Sequence, residues 1–141
     1  MIAIASDHAG FALKEKIKKH LIEELKAEVC DFGTENEESC DYPVFAKKAC
    51  EAVTSGKCDK AILVCGTGIG MSMAANKVKG IRAAVCTETF AAKYTRLHND
   101  ANVLCMGARV IGEGVAIEIT DTFISTEFEG GKHKRRIDMF E

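Results

Sequence analysis

This sequence predicts an α/β fold in which helices cover both faces of a parallel sheet. Two observations carry that expectation. Five short apolar runs alternate with amphipathic helical patterns, and strand–helix alternation of this kind builds parallel sheets. The third run leads straight into Cys65-Gly-Thr-Gly-Ile-Gly70, which reads as strand, tight turn and helix. Ligands of such sheets collect at the carboxyl ends of the strands.

The strands are expected at Ile2–Ser6, Glu28–Phe32, Ala61–Cys65, Ile81–Cys86 and Asn102–Met106. Between the first two, Leu13, Ile17, Leu21 and Leu25 recur every fourth residue and predict an inward helical stripe, with Lys14, Lys18, Lys19 and Glu23 on other faces. Pro43 opens the second helix, whose inward residues are Phe45, Ala49, Cys50 and Val53. Met73, Ala74 and Val78 continue the third, Phe90, Tyr94 and Leu97 the fourth, and Val115, Ile119 and Phe123 the fifth. After Phe128 the pattern breaks at Glu129-Gly-Gly131, a hinge. The basic run Lys132–Arg136 follows, and beyond it stand Ile137, Met139 and Phe140, as in a segment that docks on another surface. The reading is a single domain over 1–141, with a core of 1–128 and a tail of 129–141.

At 141 residues, 47% apolar and 28% charged, the chain has the composition of a folded globular domain. A net charge of −2 argues against nucleic acid as partner. No run approaches a membrane span and no signal peptide is visible. Seven cysteines cannot all pair, and no Cys-x-x-Cys or zinc-type spacing occurs, so a reduced cytoplasm is the expected compartment. Cys30, Cys86 and Cys105 lie in or beside strand patterns, as small buried hydrophobes do.

The glycine turn aims backbone N–H groups at one point, at the positive end of a helix dipole, and so predicts an anion site. Met71 stands where a dinucleotide fingerprint needs glycine, and no lysine precedes Lys77 as a Walker loop would require. Cys65 reads either as core or as a nucleophile or base whose thiolate the helix N-terminus favours. Thr67 and Asp7 read either as helix caps or as site residues, and His8 as surface or site. With the strand-end rule, Asp7, His8, Cys65 and Thr67 should face one crevice. His98 and Asn99 end the fourth helix, where a histidine often only complements the dipole. Arg109 follows the fifth strand, and Lys132 and Arg136 sit on the basic tail, as solvated charges or as phosphate contacts.

Taken together, Ser6-Asp-His-Ala-Gly10, Asp41-Tyr-Pro43, Cys65–Gly70, Ala74-Ala-Asn76, Gly80-Ile-Arg-Ala83, His98–Asn102, Gly107-Ala-Arg109 and Glu129–His133 resemble type B ribose-5-phosphate isomerase over essentially the whole chain. The group includes galactose-6-phosphate isomerase subunits. The resemblance implies a three-layer α/β/α Rossmann-like sandwich with strand order 2-1-3-5-4. It further implies a homodimer, often paired into tetramers, with active sites shared between subunits and a tail that reaches a neighbour.

The implied reaction interconverts ribose 5-phosphate and ribulose 5-phosphate, in the non-oxidative pentose phosphate pathway, through a cis-enediolate without metal or organic cofactor. Cys65 matches the base and Thr67 the hydroxyl that assists proton movement. His98 with Asp7 matches the ring-opening pair. Gly66, Gly68 and Gly70, with Asn99, match the enediolate donors, and His8, Arg109, Lys132 and Arg136 the phosphate contacts. Lys132 departs from the arginine common at its position. The competing readings are an isomerase of allose or galactose 6-phosphate, a phosphate-binding regulatory module, and a redox sensor built on Cys65.

Overall fold

A computed structural model describes residues 1–141. The elements run β1 (Ile2–Ser6), α1 (Phe11–Glu23), β2 (Val29–Asp31), α2 (Tyr42–Thr54), β3 (Lys60–Cys65), α3 (Ile69–Ala75), β4 (Ala83–Val85), α4 (Thr89–Asn99), β5 (Val103–Gly107), α5 (Glu113–Ser125) and α6 (Lys132–Ile137). All five strands are parallel, in the order β2-β1-β3-β5-β4. This is the expected three-layer sandwich and strand order. No helix is long and apolar enough to cross a membrane.

Side-chain alternation along the central strands explains the layering, because successive residues of a strand point to opposite faces. Ile2, Ile4, Ile62, Val64, Leu104 and Met106 pack with Leu13, Ile17 and Leu21 of α1 and Ala116, Ile119 and Phe123 of α5. The intervening residues Ala3, Ala5, Ala61, Leu63, Cys65, Val103 and Cys105 pack with Ala46, Ala49 and Cys50 of α2 and Met71 and Ala75 of α3. Both faces are thus covered, which is why β1, β3 and β5 read as continuous apolar runs rather than as alternating ones.

Several inward assignments require correction. Leu25 lies past the end of α1 and is exposed, whereas Lys14, expected on a solvent face, is only 1% exposed. Its ammonium donates to both Asp31 carboxylate oxygens at 2.9 Å and to the Thr34 carbonyl at 2.6 Å. A buried cation is tolerable when its donors are met in this way. Met73 is 66% exposed and Phe90 69%, and Val115 is exposed too. α3 has only seven residues and buries Met71 and Ala75, while α4 turns Ala92 and Arg96 inward. The tail forms α6, which packs on α4 of its own chain, with Ile137 buried and Met139 and Phe140 exposed.

Candidate active site

Consecutive connections leave the sheet in opposite directions from β1, which leads outward to β2, and from β3, whose successors lie on the other side. A crevice opens at such a switch point, at the carboxyl ends of the two strands. Asp7-His8 and Cys65–Gly70 sit at these two ends, and the Asp7 N–H donates to Val64 O at 3.2 Å. The next strand brings Arg109: Ala108 N–H donates to Cys65 O at 2.8 Å and Arg109 N–H to Gly66 O at 3.0 Å. The Arg109 guanidinium lies over Gly66, where an added Cβ would stand 3.4 Å from Nη1.

The glycine turn is built for close approach. Gly68 has φ +80°, in the left-handed region, and a Cβ there would meet Met106 C at 2.9 Å. This bend aims the Gly68 N–H at Cys65 Sγ, 3.1 Å away. Thr67 Oγ1 accepts from Ile69 N–H at 3.2 Å, so the hydroxyl does cap the local turn. Asp7 likewise accepts from Gly10 N–H at 3.0 Å at the start of α1, with its carboxylate largely buried. These bonds hold both side chains at the strand ends, but neither residue is the N-cap of its helix, a place taken by Gly10 in α1 and Gly68 in α3. Beside them the buried Ser6 hydroxyl has no hydrogen-bond partner.

Cys65 differs from Cys50, Cys86 and Cys105, which are also buried in the sheet layers or at their edge. Burial pushes Cys50 up to about 12 and Cys86 to about 11, and raises Cys105 well above its ordinary value. Those three are packing thiols, held protonated by desolvation. Cys65 alone among them receives a backbone N–H, in a turn open to the crevice.

Two neighbours of this crevice escaped sequence reasoning. The Tyr42 ring covers Gly70, where a Cβ would stand 2.7 Å from Cζ. The Cys40 N–H donates to His8 Nδ1 at 3.2 Å. That bond occupies the Nδ1 lone pair and leaves the proton of the neutral ring on Nε2, free to donate.

A second group forms elsewhere on the chain. His98 and Asn99 end α4, where Asp100 takes φ +46° and Arg82 donates to the Asn99 and Asp100 carbonyls at 3.0 and 3.1 Å. The buried Arg96 adds bonds to Asp100 Oδ1 at 2.9 Å and Ala101 O at 2.7 Å. Glu129 N–H donates to Leu97 O at 3.1 Å, and Gly130 and Gly131, both at positive φ, then turn the chain into α6. His133 stacks on His98 with ring centroids 4.0 Å apart, and its Nε2 lies 3.3 Å from Glu129 Oε2. Partial burial and the adjoining His98 ring lower the His133 pKa against the pull of Glu129. Lys132 and Arg136 stand exposed on α6. Within one chain, no hydrogen bond or ion pair joins His98, Asn99, Lys132 or Arg136 to Cys65 or Asp7.

Comparison with known proteins places the whole chain in a family. A family model described as Ribose/Galactose Isomerase matches residues 2–140. The ribose-5-phosphate isomerase B of Escherichia coli is 47% identical over 137 residues, which cover 97% of this chain and 91% of that protein. The structure of the Clostridium thermocellum ribose-5-phosphate isomerase B superposes with a TM-score of 0.97 at 52% identity, covering 99% of this chain and 93% of that one. The Mycoplasma genitalium ribose-5-phosphate isomerase B with bound ribulose-5-phosphate superposes with a TM-score of 0.93 at 43% identity, over 99% of this chain and 92% of that one. A match this complete in sequence and in fold leaves one conclusion: the chain belongs to the ribose/galactose isomerase family.

Proposed function

We propose that this protein is an aldose–ketose isomerase that interconverts D-ribose 5-phosphate and D-ribulose 5-phosphate through a cis-enediolate. The observation that carries the reading is Cys65 Sγ held 3.1 Å from the Gly68 N–H, at the mouth of a glycine turn that opens α3. A base beside preorganised donors is what proton abstraction next to a carbonyl needs. The relatives named ribose-5-phosphate isomerase B, one with ribulose-5-phosphate bound, favour the pentose substrate.

In this mechanism His98 and Asp7 open the furanose, moving a proton from the O1 hydroxyl to the ring oxygen. Cys65 then takes the C2 proton, and the C–H electron pair becomes the C1–C2 double bond as charge develops on O1. The N–H groups of Gly66, Gly68 and Gly70, with the Asn99 amide, stabilise that charge, and Thr67 helps to move the proton from O2 to O1. Cys65 returns its proton to C1, giving the ketose. His8, Arg109, Lys132 and Arg136 anchor the dianionic phosphate, with His8 Nε2–H as a donor. These steps use no metal or cofactor.

The two groups of side chains fit a homodimer, alone or paired into a tetramer, in which the α4–α6 group of one subunit completes the strand-end crevice of its partner. Exposed Ile69, Met73 and Phe90 supply apolar surface for such an interface. The free thiols fit a cytoplasmic location.

The test is an NMR time course with ribose 5-phosphate in heavy water. Ribulose 5-phosphate with deuterium at C1 is expected. No turnover of ribose 5-phosphate, with turnover of allose or galactose 6-phosphate, would overturn the pentose assignment. Binding of a nucleotide without any sugar-phosphate turnover would overturn the enzyme reading.

A further inference from the structure

The chain carries a second constellation with its own chemistry where the tail meets α4. His98, Glu129 and His133 each offer one ligand atom, and the three atoms lie within 4.8 Å of one another. Glu129 Oε2 stands 3.9 Å from His98 Nε2 and 3.3 Å from His133 Nε2. A tetrahedral ion with bonds of about 2.0–2.1 Å holds neighbouring ligand atoms about 3.3 Å apart. Of the three ligand pairs, Glu129–His133 already has that spacing, Glu129–His98 must close by about half an ångström, and the two imidazole nitrogens, within 4.8 Å of each other, must close by up to about 1.5 Å. The rings are stacked with only 11° between their planes, so an ion shared by both must tilt one ring out of the stack. The Gly130-Gly131 hinge before α6 gives His133 that freedom.

The geometry points to a binding site for a divalent transition-metal ion of the zinc class, formed by His98, Glu129 and His133 and clamping α6 onto α4. Two imidazoles and one carboxylate suit zinc, cobalt and nickel better than calcium or magnesium, which prefer all-oxygen shells. Three protein ligands leave a fourth position open to water. The cationic neighbours Lys132, Lys134, Arg135 and Arg136 oppose a second positive centre, so the ion is held reversibly rather than as a permanent structural part. The metal is not a cofactor of the proposed isomerisation. On the reading that His98 opens the sugar ring, an ion on its Nε2 withdraws that nitrogen and inhibits.

The experiment is a Co²⁺ titration of tag-free, full-length protein followed by visible absorption. One equivalent per chain is expected, with d–d bands of nitrogen and oxygen ligation and no sulfur-to-metal charge-transfer band. His133→Asn and Glu129→Gln should each weaken binding by about 10- to 100-fold or more, and Cys40→Ser should leave it unchanged. A charge-transfer band would move the ion to a cysteine and overturn the site, as would equal binding by His133→Asn. Absence of Co²⁺ binding to the wild type would also overturn it. Activity with ribose 5-phosphate at saturating Zn²⁺, restored by chelator, separates the two readings. Cobalt bound at this site while Zn²⁺ leaves turnover intact would uphold the metal site and overturn the ring-opening role of His98.

Discussion

The strand-end crevice and the α4–α6 corner are made of different materials. In the crevice, backbone does most of the work: Gly68 N–H meets the Cys65 sulfur, Cys40 N–H sets the His8 ring, and the sheet register places Asp7 beside Val64. In the corner the groups are partly exposed side chains, from the end of α4, from Glu129 and from a short α6 entered through two glycines. A crevice locked into the sheet suits chemistry that tolerates little misplacement. A hinged corner suits capture and release of a charged substrate. On the proposed function, the difference teaches that one chain holds two unlike parts of a site, one set by backbone and one by side chains.

The sharpest way to break this division is at Cys65. Cys65→Ser keeps size and the Gly68 contact but puts a far weaker acid–base group at the sulfur position. It is expected to lower kcat by about 10²–10⁴-fold while KM changes little, measured by steady-state turnover of ribose 5-phosphate. Turnover within a factor of two of wild type would remove Cys65 from the proton transfer.

Complementation sharpens the comparison further. Cys65→Ser and His98→Asn chains, each inactive, are unfolded together and refolded at equal ratio. If sites are shared across a two-fold axis, half of the dimers are hybrids with one intact site, so about a quarter of wild-type activity returns. If each chain holds a complete site, the mixture stays as inactive as its parts.

The sheet was legible because buried parallel strands leave short apolar runs, and five of these survive in the structure with ends moved by one or two residues. The strand order came with the family resemblance, since periodicity does not say which strand pairs with which. Lys14 was illegible, because its burial depends on Asp31 from another strand and a lysine within a leucine pattern reads as solvated. Phe90 and Met73 misled for the opposite reason: apolar residues at helical spacing read as core, yet here the buried stripes pass through Ala92 and Arg96 and through Met71 and Ala75. In the site, the glycine turn was legible as a local motif, whereas the His98–Glu129–His133 cluster joins α4 to a segment beyond α5 and has no zinc-type spacing.

The Lys14–Asp31 pair lies at the far edge of the sheet and tests whether the crevice depends on its scaffold. Burial alone would raise the Asp31 pKa, but hydrogen bonds from Lys18 and Lys14 outweigh it and hold the pKa below the ordinary carboxylate value. A folded-state pKa below the unfolded one contributes stability that is present above the unfolded value and lost as pH falls through the folded value. Asp31→Asn is therefore expected to lose about 2–3 kcal/mol at neutral pH, because the buried Lys14 ammonium then has only the Glu15 carboxylate, 3.3 Å away, as counter-ion. Its Tm should also fall less steeply than that of wild type below about pH 4. Thermal unfolding across pH checks both, and parallel pH curves for the two proteins would show that Asp31 is not stabilised as a carboxylate.

The smallest expected effect lies in the corner, at Lys132. The residue opens α6 directly after Gly131 and stands exposed, so its ammonium reaches an anion on a flexible stem as a point charge. Arginine there offers a planar fork that can grip two phosphate oxygens at once. The phosphate keeps its charge and place throughout the proposed reaction, so a better grip on it strengthens ground-state and transition-state binding alike. Lys132→Arg is accordingly expected to lower KM by about two- to threefold with kcat nearly unchanged, as uniform binding requires. Arg136, one turn further along α6, is unchanged in the variant. A kcat loss of tenfold or more would mean that Lys132 acts near the reacting carbons. The role of α6 would then extend beyond gripping the phosphate to the chemistry that His98 and Asn99 of the same corner are proposed to serve.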